Sequence, residues 1–163
     1  MPPRESNKVV DRILTPLVAS RPGSWFYVNV APHIDRGLLR LTGGRFTTGG
    51  RRRVGFLRVK GAKSGVERVT PLVYTRDGGK LFLVASRGGD VKHPAWYRNV
   101  SANPDVRFSI DGDERPYRAR ELQGPERDRA WEMAVRRYRG YATYKVRAGA
   151  RTIPVIELAP RGG

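Results

Sequence analysis

Four groups of residues in this chain have side-chain types and spacings that can do chemistry. The first is Gly61-Ala62-Lys63-Ser64-Gly65, with Arg68 shortly after it. A glycine-rich turn exposes backbone N–H groups and flanking cations add positive charge, a combination suited to a phosphate or carboxylate. It is not a P-loop: the first glycine of that motif is missing, Gly65 follows Ser64, and no helix comes next. The plainer reading is a basic turn in solvent. The second group is Ser86 with Arg87, at the end of an apolar run. A hydroxyl there can bond a ring carbonyl of a ligand or cap the loop that follows. The third is His93-Pro94-Ala95-Trp96-Tyr97-Arg98-Asn99, whose indole and phenol faces serve for stacking or, more commonly, for a core. The fourth is Tyr138, Tyr141 and Tyr144, spaced three apart. Their phenols can donate protons and pack on a planar ligand, or close an aromatic lid over a core.

Other chemistries are excluded by what is missing. The 163 residues include no cysteine, which removes a disulfide framework, a thiol nucleophile and a cysteine zinc site. The only two histidines are His33 and His93, so no metal centre is expected. Neither is placed to activate Ser86 as in a hydrolase triad, and His93, near Trp96, is read as structural. Lys and Arg number 32 against 15 Asp and Glu, a formal charge of +17. Such a field favours nucleic acid, anionic lipid, or a small ligand carrying phosphates and carboxylates. Arginine dominates and suits bidentate contacts to such groups, although a solvated basic surface accounts for many of these charges equally well. No recognisable nucleic-acid-reading motif accompanies them, so nucleic acid is not expected as a partner.

The elements that must position these groups follow from periodicity. Residues 7–20 read as an amphipathic helix through Val9, Val10, Ile13, Leu14, Leu17 and Val18, bent or ended at Pro16. A second short helix is expected around Ile34, Leu38, Leu39 and Leu41, and residues 42–50 read as a glycine-rich linker. The domain boundary is placed near Arg51, giving a helical segment 1–50 and a main domain 51–163. The first segment can pack on its own domain, cover a ligand site, or lie on a membrane. Residues 1–20 are charged throughout, unlike a secretory signal, and residues 22–32 are too short to cross a bilayer. A cytoplasmic protein is therefore expected, with peripheral contact to the inner face of the cell membrane through residues 1–40 as one option and packing on its own domain or on a partner subunit as the other.

In the main domain, strands are expected at 54–60, 66–75, 80–86, 106–110, 115–121 and 152–159. Pro71 implies an edge or a bulge in the second, and the continuous apolar run at 80–86 implies burial on both faces. Asp77-Gly78-Gly79 and Asp111-Gly112-Asp113 read as hairpin turns. Helices are expected at 94–102, with Pro94 at its first position, and at 125–139, with Gly140 ending the latter nearby. Strands joined mostly by hairpins imply an antiparallel barrel or sheet.

Taken in order, several of these segments resemble the deazaflavin-dependent nitroreductase family of actinobacteria, the split-barrel flavin and deazaflavin oxidoreductases. The resemblance is carried by Gly61-Ala62-Lys63-Ser64-Gly65 with Arg68 and Pro71-Leu72; Asp77-Gly78-Gly79; Val84-Ala85-Ser86; Pro94-Ala95-Trp96-Tyr97-Arg98-Asn99 with Ala102-Asn103-Pro104; the three tyrosines; and Arg151-Thr152-Ile153-Pro154-Val155. It implies a mainly β fold with helices (α+β), a split β-barrel of FMN-binding type that holds coenzyme F-420, an 8-hydroxy-5-deazaflavin. It further implies that Lys63, Ser64 and Arg68 hold the coenzyme's phosphate and oligoglutamate tail. Ser86 and Arg87 would contact the deazaflavin head, and Pro94, Ala95, Trp96, Tyr97 and Arg98 would line its groove. Tyr138, Tyr141, Tyr144 and Trp96 would line the acceptor pocket, with Ser86, Tyr138 and Tyr144 the catalytic candidates. The chain departs from the family pattern at Arg58-Val59-Lys60, where a threonine-rich lead-in is common, at Ala62 in place of arginine, and at Arg87 in place of lysine. The implied reaction is hydride transfer from the reduced coenzyme to an electron-poor, lipophilic acceptor such as a quinone, enone or nitro compound, with a homodimer among the expected assemblies. The alternatives are FMN in the same barrel, or a non-enzymatic basic module that binds anionic lipid or nucleic acid.

Overall fold

The computed structural model describes residues 54–162. The helices expected near 7–20 and 34–41, the linker, and the boundary near Arg51 lie outside the described residues.

Two hairpins set the architecture, and both are dictated locally. Strands β2 (Glu67–Asp77) and β3 (Lys80–Val84) pair with Asp77 opposite Lys80, which leaves Gly78 and Gly79 as a two-residue turn at φ 51° and 81°. Strands β4 (Asp105–Ile110) and β5 (Asp113–Glu121) pair with Ile110 opposite Asp113, across Asp111 and Gly112 at φ 52° and 87°. Two consecutive positive φ values define the hairpin turn that matches strand twist, and Gly and Asp tolerate them best. Strand β1 (Val54–Lys60) pairs with both β2 and β4, and β6 (Val155–Pro160) with both β3 and β5. The six antiparallel strands thereby close in the order β1-β2-β3-β6-β5-β4. The expected barrel is the one observed.

Alternation along the strands fills its interior. Leu57, Val59, Leu81, Leu83, Val106, Phe108, Tyr117, Ala119, Ile156 and Leu158 are buried together. Side chains such as Leu57 and Leu81, fully buried, each contribute about 2 kcal/mol of transfer free energy. Helix α1 (Ala95–Ala102) adds Trp96 and Val100 to the same core. A second apolar layer forms outside the wall, where α2 (Gly124–Arg137) and α3 (Gly140–Ala148) cover Phe82, Leu122, Ile153 and Val155. Strand β3 is thus buried on both faces, with Leu81 and Leu83 turned into the barrel and Phe82 into the helix layer.

Pro71 lies at an edge and not at a bulge. It pairs with Phe56 without a break in register, and residues 67–73 pair with β1 alone while 74–77 pair with β3. A residue without an N–H is tolerated where one side of the strand is open. The structure corrects several boundaries. Strand β3 ends at Val84, before Ser86, and β6 begins at Val155, after Thr152. Pro94 is the N-cap of α1, in extended conformation, one residue before the first helical position. The expected helix to 139 ends at Arg137, where Tyr138 turns extended, and Gly140 opens a second helix that carries Tyr141 and Tyr144. Gly140 is buried against the Tyr138 ring, where a Cβ would collide, so this glycine permits the corner between α2 and α3 and does not itself end α2.

Candidate functional site

The basic turn is built by backbone bonds and by α1. Gly61 N–H donates to Val66 O at 2.8 Å and Gly65 N–H to Gly61 O at 2.9 Å, with Gly65 at φ 66°. Ser64 Oγ accepts from Val66 N–H at 3.3 Å. Asn99 and Asn103, one helical turn apart, reach the same segment: Ala62 N–H donates to Asn99 Oδ1 at 3.0 Å, and Asn103 Nδ2 donates to Lys60 O at 3.2 Å. The turn is therefore docked on the C-terminal end of α1.

Its charge is not internally compensated. Lys60, Lys63, Arg68 and Arg98 are exposed, and among the described residues none is paired with a carboxylate. Arg68 stands opposite Val59, on the row of β2 that continues through Thr70 and Leu72 to buried Tyr74, so it extends the barrel's inner face past its last buried position. The arginines of β1, β4 and β5 differ. Arg58 bonds Glu67 at 2.7 Å and Glu114 at 2.9 Å, and these two carboxylates raise its pKa. Arg107 pairs with Glu114, Arg115 with Asp113, Arg118 and Arg161 with Asp105, and Arg120 with Glu126 and Glu157.

At the other end of α1 lies the Ser86 loop. Ser86 is 8% exposed and precedes a single 3-10 turn, Arg87–Gly89, which its side chain does not cap. Arg87, Gly88 and Gly89 all have positive φ, at 48°, 65° and 83°. Gly89 packs on α3 so closely that a Cβ would lie 2.7 Å from the Tyr144 carbonyl oxygen. Arg87 Nε lies 3.3 Å from Asp90 Oδ2, and its Nη1 donates to His93 O at 3.4 Å. From the far side, Arg151 donates Nη2 to Ser86 O at 2.8 Å and Nη1 to Ala85 O at 3.4 Å. Arg151 Nη1 also lies 3.2 Å from His93 Nδ1. Arginine only donates, so His93 Nδ1 accepts and the ring is neutral with its proton on Nε2. Burial first, then the Arg151 charge, holds the His93 pKa below the usual imidazole range, with Glu121 opposing and Arg98 reinforcing. The His93 ring lies 4.8 Å from that of Tyr97, whose hydroxyl donates to Glu121 at 2.7 Å. Burial and that bond raise the Tyr97 pKa.

The aromatic candidates are placed differently from one another. Trp96 is 7% exposed within the barrel core, which matches the core reading of its indole more than an open stacking face. Ala95 and Arg98 are the exposed members of its segment, and Pro94 and Tyr97 are half-buried. Tyr138, Tyr141 and Tyr144 form an edge-to-face trio with ring centroids 5.1–6.2 Å apart. All three are buried, and the Tyr138 and Tyr144 hydroxyls meet at 3.0 Å. Through the Gly89–Tyr144 contact this trio adjoins the Ser86 loop. The structure thus gathers Ser86, Arg87 and His93 before the start of α1, with the Tyr144 backbone behind that loop, and Lys63 and Ser64 in the turn at its end, with Arg68 on the adjoining stretch of β2. The eight residues of α1 separate the two by about 12 Å. Arg151 entered the sequence reading only as part of a motif, because its partners are main-chain carbonyls 65 and 66 residues away. Among the described residues no group of His, Asp and Glu could hold a metal ion.

Residues 34–160 match the F420H(2)-dependent quinone reductase family, a match that includes both ends of α1, the tyrosine trio and Arg151. The chain belongs to that family. It is similar to an F420H(2)-dependent quinone reductase of Mycobacterium tuberculosis, 37% identical over 108 residues, or 64% of this chain and 72% of the relative. Among solved structures it is similar to an F420-H2 dependent reductase, at 44% identity and a TM-score of 0.61, covering 66% of this chain and 94% of that one. A chain solved as a domain-swapped dimer is 39% identical with a TM-score of 0.63, covering 84% of this chain and 98% of that one.

Proposed function

We propose that this protein is an oxidoreductase that uses the reduced deazaflavin coenzyme F-420 to reduce quinones. The observation that carries the reading is the division of labour along α1 in a chain of this family. Unpaired cations and turn N–H groups lie at one end, and a strained loop with an uncapped serine lies at the other. A coenzyme with a phosphate-and-carboxylate tail needs cations that no internal acid neutralises, and Lys63, Arg68 and Lys60 meet that requirement. A planar head needs a shaped, largely dry loop, and buried Ser86 beside half-buried Arg87 meets it. The residues present fit the group.

When bound, the reduced deazaflavin supplies the hydride. The protein's own part is binding, orientation and proton supply. Lys63, Ser64 and Arg68 anchor the tail, and Ser86 and Arg87 orient the head. The buried Tyr138–Tyr144 hydroxyl pair, joined to that loop through the Tyr144 backbone beside Gly89, is the candidate proton source. One of the two can protonate an oxygen as charge develops on it, while the other holds the first by its hydrogen bond. The relative solved as a domain-swapped dimer supports association of two copies. No described helix is long and apolar enough to cross a membrane, and a peripheral contact through residues 1–40 is part of this proposal only.

The test is a turnover assay with pre-reduced coenzyme F-420 and a panel of quinone and nitro acceptors. Quinone-dependent oxidation of the coenzyme is expected. Turnover with reduced FMN alone would replace the coenzyme, and no turnover with any quinone would replace the acceptor.

A further inference from the structure

We propose that Arg151 is a positioning residue for this site, and that with His93 as its acceptor it latches the loop after β3 to the start of α1. The inference rests on the reading of Ser86 and Arg87 as coenzyme contacts.

The loop needs holding. Arg87 carries a side chain in the left-handed region, which only over-determining surroundings maintain. The bonds within the loop, Gly89 N–H to Ser86 O and Asp90 N–H to Arg87 O, close the turn but do not orient it. Arg151 does. Its planar fork reaches three acceptors on two segments, Ala85 O and Ser86 O at the end of β3, and His93 Nδ1 two residues before α1. Lysine carries its donors on one nitrogen and lacks the rigid fork whose two terminal nitrogens here divide the three acceptors between them. Burial lowers the pKa of the guanidinium, the Asp90 charge opposes that shift and the Arg87 charge adds to it.

His93 makes the latch conditional. It accepts only while neutral. The charged and titratable groups around it are Arg151 from the α3–β6 loop, Arg98 and Tyr97 from α1, and Glu121 from the end of β5. Because the folded-state pKa is depressed, the imidazole is neutral in folded and unfolded chains above about pH 6.5 and the latch is fully present. As pH falls from there through the folded value, protonation of His93 is resisted at the expense of stability and finally replaces an acceptor with a cation beside Arg151 and Arg98.

The experiment compares wild type with Arg151→Ala, Arg151→Lys and His93→Asn, the last keeping an acceptor near the Nδ1 position without titrating. Amide hydrogen exchange over residues 85–93, Tm, and the dissociation constant for coenzyme F-420 are read from pH 5 to pH 8. Arg151→Ala and Arg151→Lys should raise exchange in that segment and weaken coenzyme binding by about tenfold, the scale of one charge-assisted bond, with exchange in β4 and β5 unchanged. Wild type should lose loop protection as pH falls below the ordinary imidazole range and lose affinity lower still, as folded His93 protonates, and His93→Asn should flatten both profiles. Unchanged exchange at 85–93 in Arg151→Lys and Arg151→Ala would overturn the latch, as would an increase spread evenly over the barrel. If Arg151→Ala does not fold, Arg151→Lys and His93→Asn decide it. A wild type that binds no coenzyme would overturn the functional reading, and the exchange measurements would still decide the latch.

Discussion

Arg58 and Arg68 lie on adjoining strands and face opposite sides of the sheet, and the difference in their partners is the difference between structure and site. Arg58 is neutralised by two carboxylates, whereas Arg68 and Lys63 are not paired with any among the described residues. Replacing Lys63 or Arg68 by alanine should therefore weaken coenzyme binding by about three- to tenfold each, with a shallower salt dependence and an unchanged Tm. A titration series in increasing salt checks this, and equal affinity in both variants would remove them from the site. Ser86 makes a different prediction. Its hydroxyl caps nothing, so Ser86→Ala should lower turnover by roughly tenfold while changing the coenzyme dissociation constant less than threefold. Separate measurement of kcat and of binding distinguishes the two, and a loss confined to binding would reassign Ser86 to anchoring. At this scale the sequence was readable where a residue acts through its neighbours in the chain. The basic turn and the Ser86-Arg87 pair are contiguous. Arg151 and His93 were not readable, because they meet across 58 residues through one guanidinium.

Among the elements, α1 does the most to organise the site, and its ends were legible. Pro94 and the Asn103-Pro104 stop bracket it, and Asn99 and Asn103 recur one turn apart on the side that docks the Gly61–Gly65 turn. The hairpins were equally plain, because glycine and aspartate at positive φ leave few alternatives. Helix α3 was missed for a physical reason. A glycine after a helix ordinarily stops it, and here Gly140 instead lets Tyr138 turn back and fold its ring against the start of the next helix. The contact between α3 and the Ser86 loop gives a stability prediction. Gly89→Ala places a side chain at φ 83° and against the Tyr144 carbonyl, at a cost of about 2–4 kcal/mol. A thermal melt should show Tm lowered by roughly 10 °C, and an unchanged Tm would show that the loop and α3 separate easily.

Over the whole molecule, closure of the barrel was only half legible. Alternation and hairpins announce antiparallel strands, but the β1–β4 and β3–β6 pairings join segments remote in sequence, and no local signal specifies them. The charge also sorts itself only in three dimensions. The +17 excess reads uniformly along the chain, yet the β4–β5 surface ties its arginines to Asp105, Asp113, Glu114, Glu126 and Glu157, while the turn beside α1 keeps its cations unpaired. The proposed coenzyme cradle rests on that local surplus of cations. The direct test is a fluorescence titration of the full chain with coenzyme F-420 and, separately, with FMN. Saturable, micromolar or tighter binding of coenzyme F-420 is expected, weakened by Lys63→Ala and by Arg68→Ala. Binding of FMN with none of coenzyme F-420, or coenzyme binding indifferent to both substitutions, would contradict it.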